Sequence, residues 1–363
     1  MVSIAFTGGG SGGHIYPGLA VAFYIKKQIS CRIFWIGSGT EKFRSAVEKA
    51  GFEFFGIPAG KLRRHFSLQN FADIFKVAAG FFAARRILKR EKPALLFSKG
   101  GFVSVPPCAA AASLGIPVFT HESDLSPGLA TKINIRFAKK IFVPYEEALA
   151  FFPPSFKKRI TVSGNPIRPE FRAADPAKGR AFLGAAREDR ILLVLGGSQG
   201  AREVNDLIRA SLPKLRELFF VVHQTGPLND WELQPADRYK PYPFIQDELP
   251  HVIAAADIVL GRSGAGTLWE NAALGRPMVL IPLSGSGTRG DQVENARYFE
   301  KAGAALILPG KPASPEKLLK ILTALAEDEP RRKAMAAASA RIGAKDGAAL
   351  IAEAVIGALE GRA

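Results

Sequence analysis

Residues 2–17, VSIAFTGGGSGGHIYP, decide the fold class. The first six have the apolar character of a buried strand, five of the six positions 8–13 are glycine, and Pro17 marks the first turn of a helix. Residues 193–202, LVLGGSQGAR, repeat the plan of strand, glycine turn and helix. Glycines let backbone N–H groups approach a ligand closely, and the helix start that follows favours negative charge such as a diphosphate. A tight strand-to-helix turn explains one such loop easily and two equivalent loops poorly.

Outward from these loops, short apolar runs at 32–36, 95–97, 118–120 and 141–143 alternate with helical patterns at 19–28, 42–50 and 71–89. The scheme returns with runs at 191–195, 219–224, 258–260, 278–281 and 305–308. Alternating strands and helices with short connections make a parallel sheet covered on both faces. The chain therefore reads as α/β, with two Rossmann-like, doubly wound parallel-sheet domains. The segment Ser163-Gly164-Asn165-Pro166-Ile167-Arg168-Pro169 interrupts any continuing element. It sets the expected division into domains 1–163 and 164–340, with a last helical stretch, 341–363, packing back on the first domain.

Two common chemistries fit these loops poorly. Gly8, Gly10 and Gly13 satisfy G-x-G-x-x-G, but a dinucleotide site also needs an acidic residue at the end of the second strand. That strand ends in Gly37-Ser38-Gly39-Thr40, with Glu41 the nearest acid. Residues 196–200 contain G-x-S-x-G, which makes Ser198 a candidate hydrolase nucleophile. A hydrolase of that order needs an acid and then a late histidine, and beyond His223 and His251 the chain has none. Ser198 with its neighbouring N–H groups reads better as a phosphate site.

A length of 363 residues suits two domains, and 47% hydrophobic with 23% charged residues is globular usage. Cys31 and Cys108 cannot build a disulfide framework, and the five scattered histidines do not complete a zinc site with them. A reduced, intracellular protein is the simplest expectation. No signal peptide and no membrane-spanning segment are expected either. Residues 1–163 hold 23 Lys and Arg against 9 Asp and Glu, a balance of +14, whereas 164–363 hold 26 against 24. One half is strongly basic, which suggests that it meets a polyanion.

Residues 262–270, RSGAGTLWE, add a third run of small residues after a strand. Glu270 falls about one turn into the next helix, where its carboxylate accepts two ribose hydroxyls or simply complements the helix dipole. Asp291-Gln292 is a similar polar pair after the glycine-rich 284–290. Between 61 and 92 stand nine Lys and Arg against Asp73 and Glu91, interleaved with Phe66, Phe71, Ile74, Phe75, Phe81 and Phe82. Phe71, Phe75, Ala78 and Phe82 recur at helical spacing, with Ile74, Val77 and Phe81 on an adjoining face, a wider apolar surface than one core-facing stripe needs. About half of these phenylalanines read as core. The remainder, flanked by cations, suit an anionic membrane surface. Nucleic acid is not expected as a partner, because no RNA- or DNA-binding signature is present.

Seven stretches in order, GGGSGGHIYPGLA (8–20), SKGGFVSVPP (98–107), HESDLSPGLA (121–130), SGNPIR (163–168), LGGSQGARE with Asn205, RSGAGT with Glu270, and GDQ with Asn295-Ala296, resemble the MurG family. These are the UDP-N-acetylglucosamine:lipid I N-acetylglucosaminyltransferases of bacterial peptidoglycan synthesis. The resemblance covers nearly the whole chain. It implies a GT-B fold with an active site between two domains. It also implies inverting transfer of N-acetylglucosamine to the C4 hydroxyl of the N-acetylmuramyl unit of undecaprenyl-linked lipid I, forming lipid II. The UDP-N-acetylglucosamine site it implies consists of Arg168, Ser198, Ile245, Ala265, Gly266, Thr267, Leu268, Trp269, Glu270 and Gln292, with Ser11, Gly12 and Gly13 closing on the donor. Thr131 stands where the family carries asparagine. It offers one hydroxyl in place of the two-ended contact of an amide. The basic, phenylalanine-rich surface then has a use, and Phe71, Phe75, Phe82, Arg85, Arg86 and Lys140 are the expected membrane and acceptor face. The resemblance places such an enzyme peripherally on the cytoplasmic face of the cell membrane, with cell-wall assembly proteins as partners.

An inverting displacement needs a base at the nucleophile and stabilised charge on the departing diphosphate. His14, the only histidine inside a glycine loop, is the candidate base; the other reading is that it holds the loop and orients substrate. Glu122, in His121-Glu122-Ser123-Asp124, is the second candidate, for acid–base or acceptor-positioning work. Helix N-termini and Arg168 would neutralise the diphosphate. The chain has no Asp-x-Asp triplet, so no metal is expected, and no cofactor beyond the sugar-nucleotide substrate. Two other readings stay open: a UDP-N-acetylglucosamine 2-epimerase or another GT-B glycolipid glycosyltransferase, and a non-catalytic nucleotide-sugar-binding module.

Overall fold

The computed structural model describes residues 1–10, 12–60, 68–197, 199–227, 234–285, 288–308 and 313–361, with the backbone alone for 42 and 68–72. The chain divides into two units, Met1–Arg168 with Asp346–Ala363, and Pro169–Lys345. Through the first unit run β1 (Val2–Thr7), α1 (Tyr16–Gln28), β2 (Cys31–Ser38), α2 (Glu41–Lys49), β3 (Glu53–Ile57), α3 (Leu68–Glu91), β4 (Leu95–Ser98), α4 (Val105–Ser113), β5 (Val118–His121), α5 (Leu129–Asn134), β6 (Ala138–Val143) and β7 (Ile160–Val162). The second unit holds α6 (Pro169–Arg172), α7 (Pro176–Leu183), β8 (Ile191–Leu195), α8 (Arg202–Leu218), β9 (Phe220–Gln224), β10 (Tyr239–Tyr242), α9 (Leu249–Ala255), β11 (Ile258–Gly261), α10 (Ala265–Ala273), β12 (Met278–Leu280), α11 (Asp291–Lys301), β13 (Ala305–Ile307), α12 (Pro315–Glu327) and α13 (Glu329–Gly343). The chain then returns to the first unit as α14 (Gly347–Leu359).

Each unit is built on one parallel sheet, ordered β3-β2-β1-β4-β5-β6-β7 in the first and β10-β9-β8-β11-β12-β13 in the second. Strand order reverses between β1 and β4, and again between β8 and β11. In a doubly wound sheet the loops leaving the carboxyl ends at such a reversal splay apart and leave a crevice. The stretches 8–13, 98–107, 196–200 and 262–267 follow these four strands.

Period-two alternation shows why the central strands read as unbroken apolar runs. Ile4 and Phe6 of β1, Ile33 and Trp35 of β2, and Leu95 and Phe97 of β4 enter one core, while Ala5, Phe34, Ile36 and Leu96 enter the core on the opposite face. The first core is completed by α14, whose Ala348, Ile351, Ala352, Val355 and Ile356 pack with Val21 and Ile25 of α1. Asp346 caps α14 by accepting from the Ala349 N–H at 3.1 Å, and it accepts from the Tyr24 hydroxyl at 2.6 Å.

The structural units differ from the expected division by about five residues at each crossing. Residues 164–168 stay with the first unit: the Gly164 carbonyl lies 3.1 Å from His121 Nε2, and Asn165 Nδ2 donates to the Ser123 carbonyl at 3.0 Å. Residues 341–343 finish α13 and remain in the second unit, where a Cβ on Gly343 would lie 2.2 Å from the Ala272 backbone. Strands β3, β7 and β10 were not expected. All three are edge strands with partly exposed faces, so they lack the apolar run that marks a central strand, and β10 carries Pro241, which an edge tolerates.

Candidate active site

In the first unit, the loops after β1 and β4 pack backbone to backbone. Gly101 has φ +77°, and a Cβ there would lie 2.3 Å from the Gly9 carbonyl and 3.2 Å from the His14 ring, so only glycine fits. A Cβ on Gly100 would lie 3.7 Å from His14 Cδ2, 3.7 Å from Thr131 Oγ1 and 3.6 Å from the His121 carbonyl. His14, Thr131 and the 121–128 loop, far apart in sequence, therefore converge on one point at the carboxyl end of the sheet. His14 is half-buried there.

Glu122 organises the loop that precedes α5. Its Oε1 accepts from the backbone N–H of Ser123 at 2.8 Å and of Asp124 at 3.1 Å. Its Oε2 accepts from the Gly128 N–H at 3.0 Å and from the Thr131 hydroxyl at 2.6 Å. A buried carboxylate with four donors on two oxygens acts as an acceptor hub for this loop. Thr131, 3% exposed, gives its only hydroxyl proton to that hub.

Behind this loop lies Lys99, which is 1% exposed and was not foreseen as a site residue. Its ammonium donates to Ser123 Oγ, and burial pushes its pKa down to about 8 against the opposing pull of Glu122 and Asp124. Burial, with the Lys99 charge, holds His121 well below the ordinary histidine range, so the ring is neutral. The signal in the sequence was a lysine inside an otherwise apolar strand end, Leu95-Leu96-Phe97-Ser98-Lys99. Arg168, the last residue before the chain crosses to the second unit, carries its guanidinium 5.3 Å from the Tyr16 ring centre.

In the second unit the loops after β8, β9, β11 and β12 meet at the corresponding crevice. Gly200 and Gly226 pack face to face: a Cβ on Gly226 would lie 2.4 Å from Gly200 Cα. Buried Gln224 bridges the glycine turn to the segment after β10, donating to the Gly197 carbonyl at 3.4 Å and accepting from the Ile245 N–H at 3.0 Å. Arg262 donates to Glu203 Oε2 at 2.9 Å and to the Ile281 carbonyl at 3.0 Å, tying together three loops. Ser263 donates to the Gln292 carbonyl at 2.8 Å, and Gln292 Oε1 accepts from the Leu283 N–H at 3.0 Å. The helix α10 starts at the centre of this frame, and a Cβ on Gly264 or Gly266 would meet nothing within 4 Å. An open helix start framed by rigid loops is suited to an anion.

The structure brings most of the expected donor residues to this crevice, with different atoms available. Gly266, Thr267 and Glu270 are partly exposed, and Ala265 lies at the α10 start. Leu268 and Trp269 are 0% and 2% exposed, so their side chains belong to the core and only their backbone can serve a ligand. Ile245 is likewise buried, with its N–H already used by Gln224. In the first unit Gly12 is half-buried and Gly13 exposed. Ser11 and Ser198 lie outside the described residues, as does the Phe71 side chain. Among the described residues no group of three or more His, Cys, Asp or Glu is arranged to hold a metal ion.

On α3, Ile74, Phe75 and Phe82 are 54%, 65% and 69% exposed, while Ala84 and Leu88 pack inward. Arg86 is exposed and Arg85 donates to Ser113 Oγ at 3.2 Å. Lys140 is not on this helix. It lies at the start of β6 and lines, with Lys139, Lys158 and Arg159, a cavity of about 630 Å³ over Pro117, Phe119 and Phe137. No helix among the described residues is long and apolar enough to cross a membrane.

These features have counterparts in known proteins. A Treponema denticola protein named UDP-N-acetylglucosamine--N-acetylmuramyl-(pentapeptide) pyrophosphoryl-undecaprenol N-acetylglucosamine transferase is 48% identical over an alignment of 378 positions that covers 97% of each chain. A Bacillus cereus protein of the same name, numbered 2, is 40% identical over 92% of this chain and 94% of its own. Among solved structures, Acinetobacter baumannii MurG aligns over 98% of this chain and 99% of its own, with a TM-score of 0.72 and 23% identity. A putative UDP-N-acetylglucosamine 2-epimerase from Listeria monocytogenes aligns over 99% and 97%, with a TM-score of 0.69 and 14% identity. Residues 4–143 match the glycosyltransferase family 28 N-terminal domain, and residues 191–351 match its C-terminal domain. With both domain matches and relatives at 40–48% identity over nearly its whole length, the chain belongs to glycosyltransferase family 28.

Proposed function

We propose that this chain transfers N-acetylglucosamine from UDP-N-acetylglucosamine to the C4 hydroxyl of the N-acetylmuramyl unit of lipid I, with inversion, releasing UDP and forming lipid II. The observation that carries this reading is identity of 40–48% over 92–97% of the chain to proteins named for that transfer. Fold alone does not separate transferase from epimerase, since solved structures of both kinds align comparably well.

The chemistry follows from the two crevices. His14 is the base that takes the C4 hydroxyl proton, supported by its half-buried place where three motifs converge. Arg168 and the α10 start stabilise the departing diphosphate, with Ser11 and Ser198 on the glycine turns. Glu270 holds the ribose hydroxyls, and Gly12, Gly13, Thr267 and Gln292 complete the donor contacts. Charge on the leaving group is met by protein groups alone, so the reaction proceeds without a metal or other cofactor. Phe75 and Phe82 with Arg85 and Arg86, joined by Phe71 and Lys140, seat the basic unit on an anionic membrane surface, peripherally on its cytoplasmic face. Cell-wall assembly proteins are the partners this reading implies.

The test is UDP release from UDP-N-acetylglucosamine with and without a lipid I analogue, in wild type and His14→Ala. Acceptor-dependent release that collapses in the variant, with UDP binding retained, is the expected result. UDP binding without acceptor-dependent release would sink the transferase reading. Interconversion of the sugar nucleotide without any acceptor would favour the epimerase.

A further inference from the structure

Ser123 is held from three sides. Its N–H donates to Glu122 at 2.8 Å, its carbonyl accepts from Asn165 Nδ2 at 3.0 Å, and its hydroxyl meets the buried Lys99 ammonium. An ammonium has three protons to give and no lone pair to offer, so the Ser123 oxygen must be the acceptor of that bond. The hydroxyl proton of Ser123 is thereby turned away from Lys99 and is left to donate elsewhere. Ser123 is half-buried rather than buried, and the residues following Lys99, Gly100 and Gly101, lie against the His14 ring.

We propose that Lys99 is a positioning residue of the acceptor site, which fixes the Ser123 hydroxyl as a donor to an oxygen of the bound acceptor. This rests on the transferase reading above and deepens it. Lys99 does not itself touch substrate, since it is 1% exposed; it acts through Ser123. Charge on the ammonium also polarises the serine O–H and strengthens the bond that it donates.

The bond has a direction that depends on protonation. Once Lys99 loses its proton its nitrogen becomes an acceptor, and Ser123 can turn its proton inward. The donor to substrate is then lost. The groups that face Lys99 are the Glu122 and Asp124 carboxylates, which favour its charged form, and the neutral His121 ring, with His14 on the opposing loop. With the Lys99 pKa near 8, acceptor use should decline through the mildly alkaline range.

The experiment is acceptor-dependent UDP release from pH 6 to 9.5, for wild type, Lys99→Arg, Lys99→Met, Ser123→Ala and the Lys99→Met/Ser123→Ala double variant. In wild type, kcat/KM for the lipid I analogue should fall above about pH 8, and in Lys99→Arg, whose guanidinium does not titrate there, the fall should move up by at least about one pH unit. Lys99→Met and Ser123→Ala should each lower kcat/KM for the acceptor about tenfold without raising KM for UDP-N-acetylglucosamine. The double variant should lose no more than the worse single one. A wild-type profile flat to pH 9.5, an unmoved limb in Lys99→Arg, or full activity in Ser123→Ala would each overturn the proposal while leaving the transferase reading intact. No acceptor-dependent release from wild type at any pH would overturn both.

Discussion

The Thr131 hydroxyl lies 2.6 Å from Glu122 Oε2 and completes a set of four donors around one buried carboxylate. Glu122→Gln keeps the shape but turns an NH2 group toward backbone N–H groups or the threonine. It should destabilise the first unit by about 2–3 kcal/mol, whereas Thr131→Val, which removes one bond, should cost about 1–2 kcal/mol. Denaturant unfolding of the two variants measures both. Equal stability of Glu122→Gln and wild type would remove the carboxylate from its role as loop hub.

The contact of Gly101 with Gly9 and His14 predicts a sharp steric limit. Gly101→Ala must move either the β1 loop or the His14 ring and must adopt a positive φ, which costs about 1–2 kcal/mol by itself. Turnover should fall by at least about tenfold, with UDP binding unchanged if the effect is local to the acceptor side. Steady-state kinetics with a UDP-binding titration decides it.

A second pH effect belongs to the second unit. His223, 0% exposed, donates from Nε2 to Asn205 Oδ1 and accepts at Nδ1 from the Tyr239 hydroxyl, both at 3.1 Å. Burial lowers its pKa to about 4 from the ordinary 6.5. Between these values the unfolded chain binds a proton that the folded chain does not, so stability is complete above pH 6.5 and falls as pH drops toward 4. The loss attributable to this ring is at most about 3 kcal/mol. Thermal melts of wild type and His223→Gln across this range should converge as the pH falls; parallel curves would exclude the histidine as the cause.

Arg262 and Glu203 form a partly buried ion pair that ties the start of α8 to the loops after β11 and β12. Glu203→Gln leaves the guanidinium in place with a weaker partner. We expect KM for UDP-N-acetylglucosamine to rise about three- to tenfold while kcat changes less, because the frame loosens without loss of a reacting group. A fall in kcat alone would argue against a donor-frame role.

The return of α14 makes a stability prediction. Ile351 is fully buried between α14 and the first core, so Ile351→Ala should cost about 2–5 kcal/mol in that unit. Ending the chain at Lys345 would uncover the apolar surface of α1 that α14 covers. Loss of the first unit's unfolding transition, with that of Pro169–Lys345 retained, is the expected calorimetric result.

Local pattern alone determined a great deal. Central strands such as Ile191–Leu195 are buried on both faces and therefore unbroken apolar runs, legible without any partner. Glycine turns such as 8–13 and 196–200 are legible because a strand-to-helix turn at a phosphate needs residues without Cβ. The alternation of these elements dictated two doubly wound sheets, and the order of seven motifs dictated the family.

Tertiary structure decided what depends on residues distant in sequence. Edge strands β3, β7 and β10 exist because a neighbour offers hydrogen bonds, not because their own pattern demands it. The crossings at Arg168 and Lys345 are set by what Asn165 and Gly343 touch. Leu268 and Trp269 sit inside the motif expected to bind the donor yet face the core, because a helix with an open start still buries one side against its domain. Glu122 and Lys99 are ordinary charged residues on paper. Only burial, which strips away water and leaves each group the partners that the fold supplies, made one an acceptor for four donors and the other a lysine that titrates near pH 8.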